Sequence, residues 1–178
     1  MGEFTFTETR LSGVTIIEPK VFGDSRGYFM ETYHEQDFFK AGITCRFVQD
    51  NQSKSRMGVL RGLHMQRRFP QAKLVRVISG EVFDVAGDCR KGSETFGKWV
   101  GVHLSAENKK QFFIPKGFAH GFLTISETAE FCYKCDEFYH PEDETGFLWS
   151  DPLLAIDWPA LPVPYILSEK DRAYPPLG

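Results

Sequence analysis

Apolar and polar side chains alternate with a period of two along most of the chain. Lys73–Ile78 sends Lys73, Val75 and Val77 to one face and Leu74, Arg76 and Ile78 to the other, the pattern of a β-strand. Ser79-Gly80 marks a turn, and Glu81–Ala86 reads as the returning strand. Further strands are expected at 59–64, 98–104, 111–114, 119–125, 129–139 and 146–150, with Gly- and Pro-bearing turns between them. Phe4–Thr7 also alternates, with no hairpin partner evident close by in sequence. One short helix is expected at Glu35–Ala41, stopped by Gly42. Short strands at this spacing predict an all-β antiparallel sandwich or barrel, a single domain over 1–178. Asp157–Pro164 is too rich in proline for a strand or helix. It carries Trp158, Leu161 and Tyr165 to bury, so the segment 157–178 is expected to wrap over the barrel as an ordered loop.

Composition agrees with that class: Phe occurs 17 times, Gly 16 times and Pro 10 times in 178 residues. Lys and Arg number 21 against 24 Asp and Glu, a net charge of −3. That balance argues against a dedicated nucleic-acid binder, so an anionic ligand needs a local cluster of cations. No apolar run approaches the roughly 18 residues of a membrane helix. The opening has no basic segment followed by an apolar one. Met1-Gly2 invites myristoylation, but Phe6 stands where that signal has Ser or Thr. A cytoplasmic protein is expected, without membrane or nucleic-acid partners.

Two motifs mislead. Cys132 and Cys135 spell C-x-x-C, but no second Cys or His pair accompanies them. In a strand, residues three apart point to opposite faces and lie roughly 10 Å apart, beyond the about 7 Å between Cα atoms that a disulfide allows. Gly92–Lys98 fits G-x-x-x-x-G-K, but Trp99 replaces the Ser or Thr that would hold Mg²⁺, which excludes a P-loop.

The densest unusual polarity runs from Phe47 to Lys73. Gln49, Asp50, Asn51 and Gln52, taken alone, read as a polar loop. Arg61 and His64 differ, because they interrupt an apolar strand where an unpaired charge is costly. With Lys73 close in sequence they mark a site. A spacing of three sends them to opposite faces of an ideal strand, so Gly62 is the expected bulge that turns both to one side. A second cluster, Pro115-Lys-Gly-Phe-Ala-His120, matches the P-x-G-x-x-H of cupin barrels, the double-stranded β-helix family. A metal-binding cupin would also show H-x-H, but His64-Met65-Gln66 puts Gln66 in place of the second His, and no metal is expected.

Together these residues resemble the dTDP-4-dehydrorhamnose 3,5-epimerase family, metal-independent cupins of nucleotide-sugar synthesis. The resemblance runs from Glu18 to Asp171 through the blocks FVQDNQS (47–53), GVLRGLH (58–64), QAKLVRV (71–77), GEVFDVA (80–86), TFGKWVGVHLSAEN (95–108) and IPKGFAHGF (114–122). It implies a cupin-type jelly-roll barrel with a few short helices, a homodimer, no cofactor and a dTDP-sugar substrate. His64 matches the family's general base, Asp171 the carboxylate paired with it, Tyr133 the proton donor, and Lys73 the cation beside the keto oxygen. Arg26, Glu31, Gln49, Asp50, Asn51, Arg61, His120, Tyr139, Glu144 and Lys170 fall where the family contacts nucleotide or sugar. Two positions depart from the pattern: Thr145 replaces a basic residue before Gly146, and Gly87 replaces a branched apolar one.

The chemistry suits these residue types. C3 and C5 flank the C4 ketone, which acidifies their protons. A base near neutral pKa is wanted, and His supplies it. A cation at the developing oxyanion acts most strongly in the transition state. The alternatives are a 3-epimerase only, a catalytically silent sugar-nucleotide binding module, and, third, a metal cupin.

Overall fold

The computed structural model describes residues 3–178; Met1 and Gly2, and the lipidation reading with them, lie outside the described residues. The strands are numbered in chain order. One sheet runs β1 (Phe4–Glu8), β2 (Thr15–Pro19), β10 (Gln111–Ile114), β7 (Lys73–Ser79), β12 (Thr128–Cys135), β5 (Gln49–Arg56). The other runs β13 (Glu144–Gly146), β6 (Leu60–Gln66), β11 (Phe118–Thr124), β8 (Glu81–Asp88), β9 (Trp99–Ser105). A separate ribbon pairs β3 (Phe22–Asp24) with β4 (Gly27–Phe29). The helices are short: α1 (Glu35–Lys40) and α2 (Glu169–Ala173). None is long and apolar enough to cross a membrane.

The alternation explains the layers. Val75, Val77, Phe112, Ile114 and Phe131 of the first sheet interlock with Val82, Ala86, Leu104, Phe118 and Phe122 of the second. This is the expected all-β jelly-roll barrel. The second sheet turns Leu60, Leu63, Phe83, Val85 and Leu123 outward, where Leu154 and Trp158 cover them. Gly87 lies beneath that cover: a Cβ there would sit 3.1 Å from Leu154 Cδ2. The C-terminal segment is tied down by backbone bonds, Ile166 N to Gly58 O at 2.8 Å and Leu148 N to Pro175 O at 2.9 Å.

Several expectations need correction. Phe4–Glu8 does have a hairpin partner, β2, joined through a turn in which Gly13 takes φ +86° and Thr9 N donates to Val14 O. It remains an edge strand. Gln49–Arg56 is a strand rather than a loop: it pairs with β12 along its whole length, and its polar side chains alternate between the two faces. The strand expected at 129–139 stops at Cys135, where Asp136 turns to accept from Ala72 N at 2.7 Å. The last strand is Glu144–Gly146, and Trp149-Ser150 form a turn. Helix α2, unforeseen, is capped by Ser168, whose Oγ accepts from Asp171 N.

Candidate active site

Strand β6 solves its parity problem with a bulge. His64 pairs opposite His120 and Arg61 opposite Phe122, three steps on β6 against two on β11. Gly62 takes φ +126°, and a Cβ there would lie 2.6 Å from Gly121 Cα. Leu60 and Leu63 therefore share the outer face, and Arg61 reaches Ser55 Oγ of the opposite sheet at 3.1 Å.

His64 Nε2 lies 2.5 Å from Asp171 Oδ1. Helix α2 delivers that carboxylate, buried, with its own N–H donated to Ser168 Oγ at 3.0 Å. Burial pushes the Asp171 carboxyl up, but His64, Ser168 and Lys170 outweigh it and hold the group below its ordinary value. Tyr174 stands edge-on to the imidazole, ring centroids 5.8 Å apart.

The first sheet supplies the facing groups. Lys73 Nζ sits 6.0 Å from the centroid of Tyr133, one strand away. Lys73 makes no ion pair within 4.0 Å among the described residues. Burial lowers its pKa, against the pull of Asp84 and Glu144. Burial also raises the Tyr133 phenol, so it keeps its proton at neutral pH.

Around this centre lie further groups. His120 Nε2 is 3.0 Å from both oxygens of Asp84. Glu144 binds Lys170 Nζ at 2.6 Å and accepts from Tyr139 and Tyr174 hydroxyls. The Tyr139 phenol is pushed up to about 12, chiefly by that bond to Glu144. Gln49 spans Asn51 Oδ1 at 3.0 Å and the Tyr139 backbone N–H at 2.8 Å. Gln66 is committed to loop backbone, donating to Phe69 O at 2.6 Å and accepting from His140 N at 2.8 Å.

Two assigned residues lie apart from His64. Asp50 points to the other face of β5 and pairs with Lys134 at 2.7 Å. Arg26 is on the β3–β4 ribbon, 88% exposed and paired with Asp24 at 2.6 Å. The neighbouring Tyr28 packs on Lys109 before the start of β10, whereas Lys73 pairs with Ile114 at the far end of that strand. Glu31 is half-buried in the segment between β4 and α1. Sequence reasoning missed Asp84 and Tyr174. The signal for Asp84 was available, a carboxylate inside the apolar run Val82–Ala86.

The family model described as dTDP-4-dehydrorhamnose 3,5-epimerase matches residues 8–178. The chain belongs to that family. A dTDP-4-dehydrorhamnose 3,5-epimerase of Methanothermobacter thermautotrophicus is 58% identical over 178 residues, covering 99% of this chain and 96% of the relative. A solved Legionella pneumophila dTDP-6-deoxy-D-glucose-3,5-epimerase, in complex with dTDP-4-keto-L-rhamnose, superposes with a TM-score of 0.96. It is 55% identical and covers 98% of this chain and 93% of its own. A 3'-monoepimerase of Streptomyces bikiniensis has the same fold, TM-score 0.88, at 31% identity over 95% of this chain and 86% of its own. The proteins it resembles thus include both outcomes at the sugar, with the greater likeness on the 3,5-epimerase side.

Proposed function

We propose that this chain epimerises dTDP-4-dehydro-6-deoxy-D-glucose at C3 and C5 to dTDP-4-dehydro-β-L-rhamnose. The observation that carries the reading is the half-buried His64, bonded to the buried Asp171, on the sheet that faces the one carrying Lys73 and Tyr133. His64 takes the proton from the carbon beside the C4 ketone, and Asp171 fixes its tautomer and stabilises its charged form. The electron pair moves onto the C4 oxygen, where Lys73 supplies positive charge. Tyr133 gives its proton to the opposite face of the enolate, inverting the carbon; it recovers a proton from solvent, and His64 releases to solvent the one it took. Arg61 and Lys170 provide cations for the pyrophosphate and sugar.

Inversion at both carbons is favoured over C3 alone because identity is 58% to a 3,5-epimerase and 31% to a monoepimerase. Proton NMR of the substrate with the enzyme in deuterated water tests this. Deuterium at C3 and C5 supports the reading, deuterium at C3 alone supports the monoepimerase, and no exchange supports a binding module. The reaction takes place in one cupin domain and needs no metal or cofactor, so exhaustive chelation should leave turnover intact; loss restored by a divalent ion would refute that part. The enzyme works in the cytoplasm as a homodimer. What supports the dimer is the edge strand β1 and the ribbon, which leaves Phe22, Tyr28 and Phe29 exposed.

A further inference from the structure

Asp84 is an expensive residue that the mechanism above leaves unused. It lies on β8 inside the barrel with 0% exposure, and among the described residues its one hydrogen-bonding side-chain partner is His120. A buried ion pair is weak support for stability, since apolar residues of similar volume do as well. The cost therefore calls for another reason. His120 pairs with Ala86, and Asp84 with Phe122, so the two side chains are diagonal neighbours on one face of β8–β11. Phe131 stacks on the imidazole from the opposite sheet, centroids 6.0 Å apart and planes 20° apart. The ring is thereby fixed in plane, edge and direction. Its Nε2 faces Asp84, and its Nδ1 makes no hydrogen bond within the described chain. His64 stands directly across the β6–β11 ladder.

We propose that Asp84 is a positioning residue that keeps the proton of His120 on Nε2, so that Nδ1 is offered to the substrate as a hydrogen-bond acceptor. The other surroundings of His120 keep the ring neutral against the pull of Asp84. Burial lowers its pKa, Asp84 on β8 opposes that, and Lys73 on β7 and His64 on β6 add to the lowering. A ring that accepts at Nδ1 recognises a sugar hydroxyl, which donates, and rejects a carbonyl oxygen, which cannot. The barrel wall thus carries two His–carboxylate pairs with different duties: His64 takes a proton from carbon, and His120 orients the ring that carries it.

The kinetic part rests on the epimerase reading; the spectroscopic part does not. Long-range ¹H–¹⁵N correlation of the histidines should show His120 in wild type with Nε2 protonated and Nδ1 bare at neutral pH. Asp84→Asn keeps the shape and an acceptor oxygen but removes the charge, so that preference should weaken. kcat should fall by about 10–100-fold, as when the carboxylate behind a functional histidine is removed, with a smaller change in KM and Tm close to wild type. In a His120→Gln background, Asp84→Asn should cost nothing further. A wild-type His120 protonated on Nδ1, or an Asp84→Asn loss that persists in full without His120, overturns the proposal. Absence of C3 and C5 exchange in wild type would instead sink the epimerase reading and leave the tautomer result standing.

Discussion

His64 Nε2 is held by a 2.5 Å contact to Asp171, so the two act as one unit and their separate losses should not add. His64→Ala should nearly abolish turnover and deuterium wash-in together. Asp171→Asn should retain substrate binding but slow proton abstraction by a factor on the order of 10²–10⁴. Tyr133→Phe should separate the two readouts, because removal of the donor leaves abstraction possible while net inversion falls. The ratio of exchange to epimerisation in the three variants measures this, and exchange retained in His64→Ala but lost in Tyr133→Phe would reverse the roles. Lys73 gives a pH test. Burial lowers its pKa, and the oxyanion role needs the ammonium, so activity should decline as pH rises through a value below that of a free lysine. Burial moves the Tyr133 phenol the other way, up from its ordinary value. Lys73→Arg cannot lose its charge, so that limb should move up or vanish. An unchanged limb in kcat against pH removes Lys73 from the role. At this scale Arg61, His64 and Lys73 were legible because each interrupts an apolar alternation. Asp84 was passed over although it does the same, and the outward turn of Asp50 was hidden while β5 was read as a loop.

The strands were legible wherever one face is apolar, because a period of two then has only one explanation. β5 failed that test, since its inward Gln49, Asn51 and Ser55 are polar. α2, with five residues, is too short for a helical period to show, and only Ser168 three before Asp171 announces it. The P-loop look-alike has a structural use: Ser93 and Thr95 hydroxyls donate to Asp88 at 2.7 and 2.6 Å, and Arg90 at 2.8 Å, clamping the loop before β9. Burial pushes the Asp88 carboxyl up, but Arg90, Thr95 and Ser93 overwhelm it and hold the group far below its ordinary value. A depressed folded pKa contributes stability that is present above the unfolded value of 3.8 and lost as pH falls through the folded one. Asp88→Asn should therefore cost about 2 kcal/mol at neutral pH and flatten the acid side of the Tm-against-pH curve. Calorimetry from pH 7 downward reads both, and a curve parallel to wild type would show the clamp to be unimportant. Gly62→Ala should do worse: its Cβ would meet Gly121 Cα and His120 O at 2.6 and 2.8 Å, so soluble yield and activity should drop together.

The whole molecule leaves one assignment unfinished within a single chain. The family resemblance places Arg26 at the nucleotide, yet its ribbon is a separate sheet whose Tyr28 leans on Lys109, at the opposite end of β10 from the Lys73 pairing. That ribbon also exposes large apolar side chains, with Phe29 66% and Tyr28 60% exposed. A homodimer reconciles the two facts if the ribbon covers its apolar face on the second copy and carries Arg26 to that copy's site. The arrangement is testable by mixing. Arg26→Ala and His64→Ala should each be nearly inactive alone. Unfolded together and refolded as a mixture, they form heterodimers in which one site combines an intact His64 from one copy with an intact Arg26 from the other. Activity should reappear at a fraction set by the heterodimer population, and sedimentation should give a dimer at micromolar concentration. If Arg26 serves its own chain, every site in the mixture lacks one group and no activity returns. A monomer by sedimentation, or a mixture as inactive as its components, would return Arg26 to its own chain's site, and an Arg26→Ala variant as active as wild type would place it outside any site.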